Sequence, residues 1–257
     1  MKLATWNVNS LKVRLPQLTD WVAQAAPDIV CIQETKTEDA KFPRAEIETI
    51  GYQSAYFGQK TYNGVAILSK RAMTDVQPGI PGFDDELKRV LSATIDGLRC
   101  ICIYAPNGQA LDSDKFVYKL RWYAALTEWL REELKRYPRL TVLGDFNIAP
   151  EDRDVHDPKA WEGQTHVSPA ERAAFTDLLA LGIKDAFRLF EQPEKSFSWW
   201  DYRMMGFRRN AGLRIDEILL SEALASGCVG CHIDKEPRRN ERPSDHAPVV
   251  AEFVGPR

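Results

Sequence analysis

Short apolar runs recur along the chain and predict β-strands. Residues 2–8 alternate apolar and polar side chains, which is a pattern of β-strands, and are predicted to form the first strand. Asp96-Gly97 separates two further runs and is a strong signal for a tight hairpin turn. The predicted strands cover residues 2–8, 28–33, 64–68, 90–95, 98–105, 140–143, 213–220 and 248–254.

Helical patterns separate several of these strands. Apolar residues form a helical stripe from 116 to 134, so one face of this helix is expected to pack on a sheet. Residues 11–24 carry a similar stripe, and Ser168-Pro169-Ala170-Glu171 has the form of a capping box that begins another helix. Because βα units are mixed with hairpins, we expect an α/β fold of mixed sheets covered by helices. No long linker divides the chain, so residues 1–257 are predicted to form a single domain, with the longest loop at 149–167.

Composition and charge narrow the class of protein. The chain is 44% hydrophobic and 28% charged, which is typical of a globular protein. No apolar stretch approaches the roughly 18 residues of a membrane span, and the N-terminus lacks the features of a secretion signal. We therefore expect a cytoplasmic protein with no membrane partner. The net charge of −3 excludes a global cationic field, so binding of nucleic acid would need a local basic face.

The five cysteines are an odd number and favour reduced thiols. Cys31, Cys100 and Cys102 lie within apolar runs and are expected to be buried. Cys228-Val229-Gly230-Cys231-His232 has the form used for attachment of c-type haem, but the chain carries no export signal. Structural thiols are the favoured interpretation, and a haem carrier is kept as an alternative.

Polar side chains gather where the predicted strands end. Glu34 follows the second run, Asp145 follows the run from 140, and Asp245-His246 precedes the last run. Strand ends meet at ligand sites in α/β sheets, so these groups are expected to converge with Asp216. Carboxylates in one cleft repel one another, and Mg²⁺ relieves that repulsion. With a histidine and several asparagines nearby, the pattern predicts metal-assisted hydrolysis of a phosphoester.

Each of these motifs also has a purely structural explanation. Asp145-Phe146-Asn147 is typical of an Asx turn, and Gln33-Glu34-Thr35 of helix capping. Asp245-His246 is compatible with a paired turn, and Tyr104 before a proline is commonly a packed aromatic. The occurrence of all of them at strand ends favours a functional site.

A set of ordered motifs extends from residue 6 to about residue 249. The motifs are Trp6-Asn7-Val8-Asn9, Gln33-Glu34-Thr35-Lys36, Tyr104-Ala105-Pro106-Asn107-Gly108, Gly144-Asp145-Phe146-Asn147, Gly212-Leu213-Arg214-Ile215-Asp216 and Ser244-Asp245-His246-Ala247-Pro248-Val249. Together they resemble the exonuclease III-type AP endonucleases, a branch of the endonuclease/exonuclease/phosphatase superfamily. The resemblance implies a four-layer α/β sandwich, with two mixed sheets face to face and helices outside.

The resemblance also implies roles for single residues. The implied ligands of Mg²⁺, for which Mn²⁺ can substitute, are Glu34, Asn7, Asp245, Asp145 and Asn147. The implied catalytic residues are Tyr104, Asp145, Asn147, Asp216 and His246. In this scheme Asp145 deprotonates the attacking water, and Asp216 orients His246 beside the phosphate. Tyr104 donates to the phosphate or assists the leaving oxygen.

DNA contacts are expected around this centre. Asn9, Lys36 and Asn107 belong to the same motifs, and by resemblance Trp199, Leu213 and Ile215 line a pocket for an abasic deoxyribose. Residues 202–215 combine aromatic residues and methionines with Arg203, Arg208, Arg209 and Arg214 but no acidic residue, which favours a DNA-facing loop over a solvated turn. Residues 235–242 are also basic, and either extend this surface or form a plain solvated loop.

We therefore expect a monomeric, Mg²⁺-dependent DNA repair nuclease. Its substrate is double-stranded DNA, cut 5′ to abasic sites, trimmed at 3′ ends, or both. One alternative is a phosphatase or phosphodiesterase of the same superfamily that acts on a small or lipid phosphoester. A DNA-binding scaffold with a degenerate site is a second alternative. The sequence leaves open the balance between AP endonuclease, exonuclease and 3′-phosphatase activities, and whether one or two metal ions act.

Overall fold

Two six-stranded mixed sheets form the centre of the molecule in the computed structural model, which describes residues 1–254. The first sheet contains β1 (Lys2–Asn7), β2 (Ile29–Gln33), β3 (Gln53–Phe57), β4 (Val65–Ser69), β13 (Cys228–Ile233) and β14 (Val249–Phe253). The second contains β5 (Thr74–Pro78), β6 (Val90–Ile95), β7 (Leu98–Tyr104), β8 (Leu140–Asp145), β9 (Lys184–Asp185) and β12 (Asp216–Leu220). A short hairpin pairs β10 (Trp199–Trp200) with β11 (Gly212–Leu213). The strand orders are β13-β14-β1-β2-β4-β3 and β5-β6-β7-β8-β12-β9.

The described residues form six α-helices. They are α1 (Leu11–Ala25), α2 (Arg44–Thr49), α3 (Asp114–Arg136), α4 (Pro158–Trp161), α5 (Pro169–Leu179) and α6 (Glu222–Ala225). Of these, α1, α2, α3 and α5 cover the outer faces of the two sheets. α1 packs through Leu18 and Trp21 on the first sheet, while α3 and α5 pack on the second. The predicted four-layer α/β sandwich is therefore confirmed. Within the described residues, we find no helix with the length and apolarity needed to cross a membrane.

The central strands bury both faces, which explains their continuous apolar runs. On β7, Cys100 and Cys102 face the interior between the two sheets, whereas Ile101 and Ile103 face the α3 layer. The cysteines are free thiols, and Cys31, Cys100 and Cys102 are buried as predicted.

Several local predictions agree with the structure. The Asp96-Gly97 hairpin joins β6 to β7 with Ile95 opposite Leu98, and both turn residues adopt positive φ. Ser168 and Glu171 form the predicted capping box at the start of α5. The predicted strand over 213–220 is wrong, because the chain is divided between β11 and β12.

The topology brings the polar strand ends together. Asn7 lies opposite Gln33 in the parallel β1–β2 pair of the first sheet. Asp145 lies opposite Tyr104 in the parallel β7–β8 pair and opposite Asp216 in the antiparallel β8–β12 pair of the second sheet. The ends of both sheets therefore open onto one side of the sandwich.

Candidate active site

Two carboxylates from different sheets meet at one amide group. Glu34 directly follows β2 and Asp145 ends β8. Asn7 donates its Nδ2 protons to Glu34 Oε1 at 3.0 Å and to Asp145 Oδ2 at 2.8 Å. The nitrogen of the Asn7 amide, and not its oxygen, therefore faces the two carboxylates in this structure.

Glycines allow the loops of the site to approach their neighbours. A Cβ on Gly144 would lie 1.9 Å from the main-chain oxygen of Ile103. Gly64 has φ +91°, and a Cβ there would lie 2.1 Å from Thr35 Oγ1. A side chain at either position would displace the segment that carries one of the carboxylates.

Burial raises the proton affinity of Asp145. Burial raises the pKa of Asp145 to about 7, an effect that positive His246 opposes and negative Asp216 strengthens. Its Oδ1 accepts a hydrogen bond from the main-chain N–H of Asn147 at 3.0 Å. A carboxylate with a pKa near neutrality is suited to take a proton from water.

His246 is held by a buried carboxylate. Its Nδ1 lies 2.8 Å from Asp216 Oδ2, and its Nε2 lies 3.7 Å from Asp145 Oδ2. Burial disfavours the charged ring, but the carboxylates of Asp216 and Asp145 outweigh this effect and raise the pKa of His246 to about 10. His246 is therefore an imidazolium at neutral pH, with its Nε2–H on the Asp145 side.

Ser198 orients Asp216 and was not predicted from the sequence. Its Oγ donates to Asp216 Oδ2 at 2.6 Å and accepts hydrogen bonds from the main-chain N–H groups of Ile215 and Asp216 at 3.1 Å. Asp216 Oδ1 is buried and has no hydrogen-bond partner among the described residues. A serine directly before the Trp-Trp pair was the available signal, but such serines are common in turns.

Tyr104, Asn107 and Asn147 lie on the second-sheet side of the site. Burial, followed by the charge of Glu34, raises the pKa of Tyr104 well above its usual value, so the phenol keeps its proton. Asn147 Nδ2 donates to the main-chain oxygen of Ala105 at 2.9 Å. The exposed Asn107 lies on the loop that follows β7, and its main-chain oxygen accepts from the same Lys119 Nζ as the main-chain oxygen of Asn147.

Two buried residues that contact these asparagines, His166 and Lys119, were not predicted from the sequence. His166 Nδ1 donates to the main-chain oxygen of Asn147 at 2.6 Å, and burial together with Lys119 lowers the pKa of His166 to about 4. Lys119 Nζ donates to the main-chain oxygens of Asn147 at 2.6 Å and Asn107 at 3.1 Å. A lysine between the apolar positions 116 and 123 of one helix stripe was the signal for Lys119.

On the first-sheet side, Asp245 lies beside the carboxylate pair. Its Oδ1 accepts from Asn9 Nδ2 at 2.9 Å and its Oδ2 accepts from Trp199 Nε1 at 3.0 Å. Lys36 Nζ donates to Asn9 Oδ1 at 2.7 Å and lies 3.1 Å from Glu34 Oε2. Asn9 and Lys36 thus connect Asp245 to Glu34 through polar contacts.

The residues predicted to line a sugar pocket form one apolar cluster. Leu213 is 0% exposed and Ile215 is 2% exposed, while Trp199 is only partly buried. The ring of Trp161 packs edge to face on Trp199, with 6.3 Å between centroids. Trp199 therefore presents the cluster to the site, and Leu213 and Ile215 lie beneath.

The four arginines of residues 202–215 differ in exposure, because three lie on the surface and one is buried. Arg203, Arg208 and Arg209 are exposed on the loop between β10 and β11, so the predicted DNA-facing role of these three stays a prediction. The inclusion of Arg214 was wrong, because this side chain is 1% exposed and forms ion pairs with Asp154 at 2.7 Å and Asp185 at 2.8 Å. The break between β11 and β12 turns Arg214 inward, where those carboxylates neutralise it.

The basic segment 235–242 also contains one buried arginine. Arg238 is 6% exposed and lies among the rings of Trp200, Tyr202 and Phe207, at 5.7, 5.7 and 4.8 Å from their centroids. It donates to the main-chain oxygen of Ser244. Arg238 therefore connects the 202–207 loop to the segment that carries His246, and it does not belong to an exposed basic surface.

The donor set fits a hard divalent cation. Ligand atoms of Glu34, Asp145 and His246 lie within 4.8 Å of one another, so the charged groups of the two sheets share a small space. Oxygen atoms are the ligands that such a cation prefers, so Glu34 and Asp145 are the candidate ligands and His246 lies beside them. A divalent cation between them would relieve the repulsion that contributes to the raised pKa of Asp145.

Comparison with known proteins agrees with this geometry. Residues 4–246 match the model of the Endonuclease/Exonuclease/phosphatase family. Exodeoxyribonuclease III of Haemophilus influenzae is 37% identical over 266 residues, covering 98% of this chain and 100% of the relative.

Solved structures resemble the chain over nearly its full length. The 3′ phosphatase NExo from Neisseria, bound to a product DNA hairpin, has a TM-score of 0.97 and 49% identity, with 99% of this chain and 100% of that chain covered. An AP endonuclease from Archaeoglobus fulgidus has a TM-score of 0.95 and 39% identity, with 98% and 99% covered.

Proposed function

Because the chain belongs to the endonuclease/exonuclease/phosphatase family, we propose that it is a metal-dependent DNA repair nuclease. The proposed substrate is double-stranded DNA, cleaved 5′ to abasic sites, trimmed at 3′ ends, or both. The names of the Haemophilus, Neisseria and Archaeoglobus proteins support this substrate. The observation that carries the proposal is the meeting of Glu34 and Asp145 at the Asn7 amide, with His246 beside them.

The proposed cofactor is Mg²⁺, for which Mn²⁺ can substitute. Glu34 and Asp145 would hold the ion, and Asn147 and Asp245 are the further candidate ligands. The structure does not support Asn7 as a ligand, because its amide nitrogen donates to both carboxylates and its oxygen accepts from the main-chain N–H of Asn9. A bound ion would supply positive charge to the phosphate oxygens. The role of Asn7 is to position the two ligands, because its amide nitrogen donates a hydrogen bond to each carboxylate.

Asp145 is the proposed general base. In the protein without a bound metal, burial raises the pKa of this carboxylate to about 7, which favours its taking a proton from a water molecule near neutral pH. The water oxygen then forms a bond to phosphorus, and the bond from phosphorus to the 3′ oxygen breaks. The leaving oxygen takes a proton, so the products carry a 3′-hydroxyl and a 5′-phosphate. Asn147 holds Asp145 through its main-chain N–H, and its side chain would lie beside the phosphate.

His246 and Tyr104 are the proposed partners of the phosphate. The His246 imidazolium offsets negative charge that grows in the transition state, and Asp216 keeps the ring charged and oriented. Tyr104 retains its phenolic proton, so it can donate a hydrogen bond to the phosphate or the leaving oxygen.

DNA would be bound around this centre by both sheets. Asn9, Lys36 and Asn107 are the proposed contacts to the strand that is cut, and Arg203, Arg208 and Arg209 the proposed contacts to flanking phosphates. Trp199, above Leu213 and Ile215, would contact a sugar that lacks its base. Because both sheets build one site, we propose that residues 1–257 act as a single domain and as a monomer.

A substrate panel tests the proposal. Purified protein with Mg²⁺ is given duplexes with an abasic site, a recessed 3′ end or a 3′-phosphate, and inositol phosphates serve as the non-DNA control. The expected result is cleavage of at least one DNA substrate that stops in EDTA and returns with Mg²⁺ or Mn²⁺. Turnover of inositol phosphates with all the DNA substrates intact would overturn the DNA assignment.

A further inference from the structure

Lys119 is an unusual residue for the inner face of a helix. It lies on α3 and its side chain is 0% exposed, among apolar neighbours such as Phe116 and Tyr123. An ammonium group has three protons to donate and is costly to bury unless all of them are used. Lys119 uses them on Asn147 O at 2.6 Å, Asn107 O at 3.1 Å and Glu171 Oε1 at 2.5 Å.

These three acceptors belong to separate segments around the site. Asn107 follows β7, Asn147 follows β8, and Glu171 lies in the first turn of α5. The Glu171 carboxylate is itself saturated, since it also accepts from the main-chain N–H of His166 at 2.9 Å and from Ser168 Oγ at 2.6 Å. The Lys119 ammonium is therefore fixed by the Glu171 carboxylate, and it donates hydrogen bonds to the main-chain oxygens of Asn107 and Asn147.

Hydrogen bonds connect Lys119, through the main chain of Asn147, to the carboxylate of Asp145. Asn147 has φ +51°, in the left-handed region, and its carbonyl accepts from both Lys119 and His166. Its main-chain N–H donates to Asp145 Oδ1, and its Nδ2 donates to the Ala105 carbonyl. A change in the Asn147 peptide would therefore move the carboxylate that faces the water.

We propose that Lys119 is a positioning residue for the hydrolysis reaction. It holds the peptides of Asn107 and Asn147 so that their amide side chains and Asp145 face the phosphate together. The proposal rests on the proposed function, because it concerns the same site. Lys119 itself is 0% exposed and does not reach substrate, so its loss should affect kcat more than KM for DNA.

The test compares variants that separate positioning from folding. Lys119→Met removes all three donated bonds but leaves the Glu171 charge unpaired. The double variant Lys119→Met with Glu171→Gln also removes that unpaired charge. Lys135→Met, on the exposed far end of the same helix, is the matched control. Steady-state cleavage of duplex DNA is measured below the onset of thermal unfolding of each variant.

Both Lys119 variants are expected to lose at least tenfold in kcat with KM within about threefold of the wild type. The double variant should regain thermal stability over Lys119→Met without regaining kcat. Return of kcat together with stability would overturn the proposal, since it would mean that Lys119 only supports folding. If Lys119→Met does not fold, the kcat of the double variant alone tests the proposal.

Hydrogen exchange supplies a readout that needs no catalysis. The amides of residues 145–149 should exchange at least tenfold faster in the double variant than in the wild type or in Lys135→Met. Unchanged exchange would overturn the positioning role of Lys119. A wild-type protein that cleaves no DNA would instead overturn the proposed function, so the two failures are distinguishable.

Discussion

Asp145 shows how one buried residue acquires several tasks. It accepts hydrogen bonds from Asn7 and from the main chain of Asn147, and it lies 3.7 Å from the His246 ring. Burial favours its neutral form, while the nearby imidazolium favours its charged form. Together these two effects give the Asp145 carboxylate a pKa of about 7, so it can take up a proton near neutral pH.

Asp145→Asn is expected to lower kcat by about 10²–10⁴-fold, because an amide cannot accept the proton of the attacking water. Binding of duplex DNA should change little, since the side chain keeps its size. Single-turnover cleavage and fluorescence anisotropy measure the two quantities. Asp177→Asn, on the exposed face of α5, is the control. Cleavage at the wild-type rate would assign the base to another residue.

His166 is expected to make stability depend on pH. Its pKa is about 4 in the folded protein, below the 6.5 of an ordinary histidine, because burial and Lys119 disfavour its charged form. Between these values the unfolded chain binds more protons, so the free energy of unfolding falls as pH drops from 6.5 towards 4. The loss is about 3 kcal/mol in total.

Urea titrations of the metal-free protein at pH 4.5 and pH 7 measure this effect. His166→Asn removes the titrating ring, and its loss of stability on acidification should be smaller than that of the wild type. The same loss in both proteins would show that other groups cause the acid sensitivity.

At the scale of elements, the hairpin of β10 and β11 and the serine before it contact two carboxylates of the site. Trp199 on β10 donates to Asp245, and Ser198 just before it holds Asp216. The loop between the two strands carries the exposed Arg203, Arg208 and Arg209. One small element thus carries Trp199 and the exposed arginines, and the serine just before it supports Asp216, the partner of His246.

Trp199→Ala is expected to reduce cleavage at abasic sites about tenfold, the effect of losing roughly 55 Å² of buried apolar contact with the sugar at about 25 cal/mol per Å². Removal of nucleotides from an intact 3′ end should fall less, because it depends less on an apolar surface for a baseless sugar. Comparing kcat/KM for the two substrates on the same variant provides an internal control. Equal losses would count against the sugar-contact role.

At the scale of the whole molecule, the site joins the two sheets. Glu34 belongs to the first sheet and Asp145 to the second, and the Asn7 amide connects them. A divalent cation held by both carboxylates would therefore add a link between the two halves of the sandwich. Such a cation stabilises the folded chain by mass action.

Mg²⁺ at 100 times its Kd should stabilise the protein by about 2.7 kcal/mol, which corresponds to a rise in Tm of roughly 5–10 °C for a chain of this size. Glu34→Gln should lose most of this rise, because it removes one of the two charged ligands. Differential scanning calorimetry with MgCl₂ against NaCl of equal ionic strength measures it. A rise of the same size in Glu34→Gln would place the ion elsewhere.

Local patterns predicted the elements because their causes are local. Apolar alternation identified β1, the Asp96-Gly97 turn identified the β6–β7 hairpin, and Ser168 with Glu171 identified the start of α5. The same reasoning failed at 213–220, where a buried Arg214 between Asp154 and Asp185 marks a break that no local pattern indicates.

The sequence by itself determined most of the central strands, the helices α1, α3 and α5 and the polar residues at the strand ends, since backbone propensity and side-chain periodicity are encoded over a few neighbouring positions. Only the tertiary structure decided which polar groups share one space. The Asn7 amide between two sheets, Ser198 behind Asp216 and Lys119 behind Asn147 all depend on contacts between distant segments. The same is true of the pKa of Asp145, because burial and neighbouring charge exist only once the chain has folded.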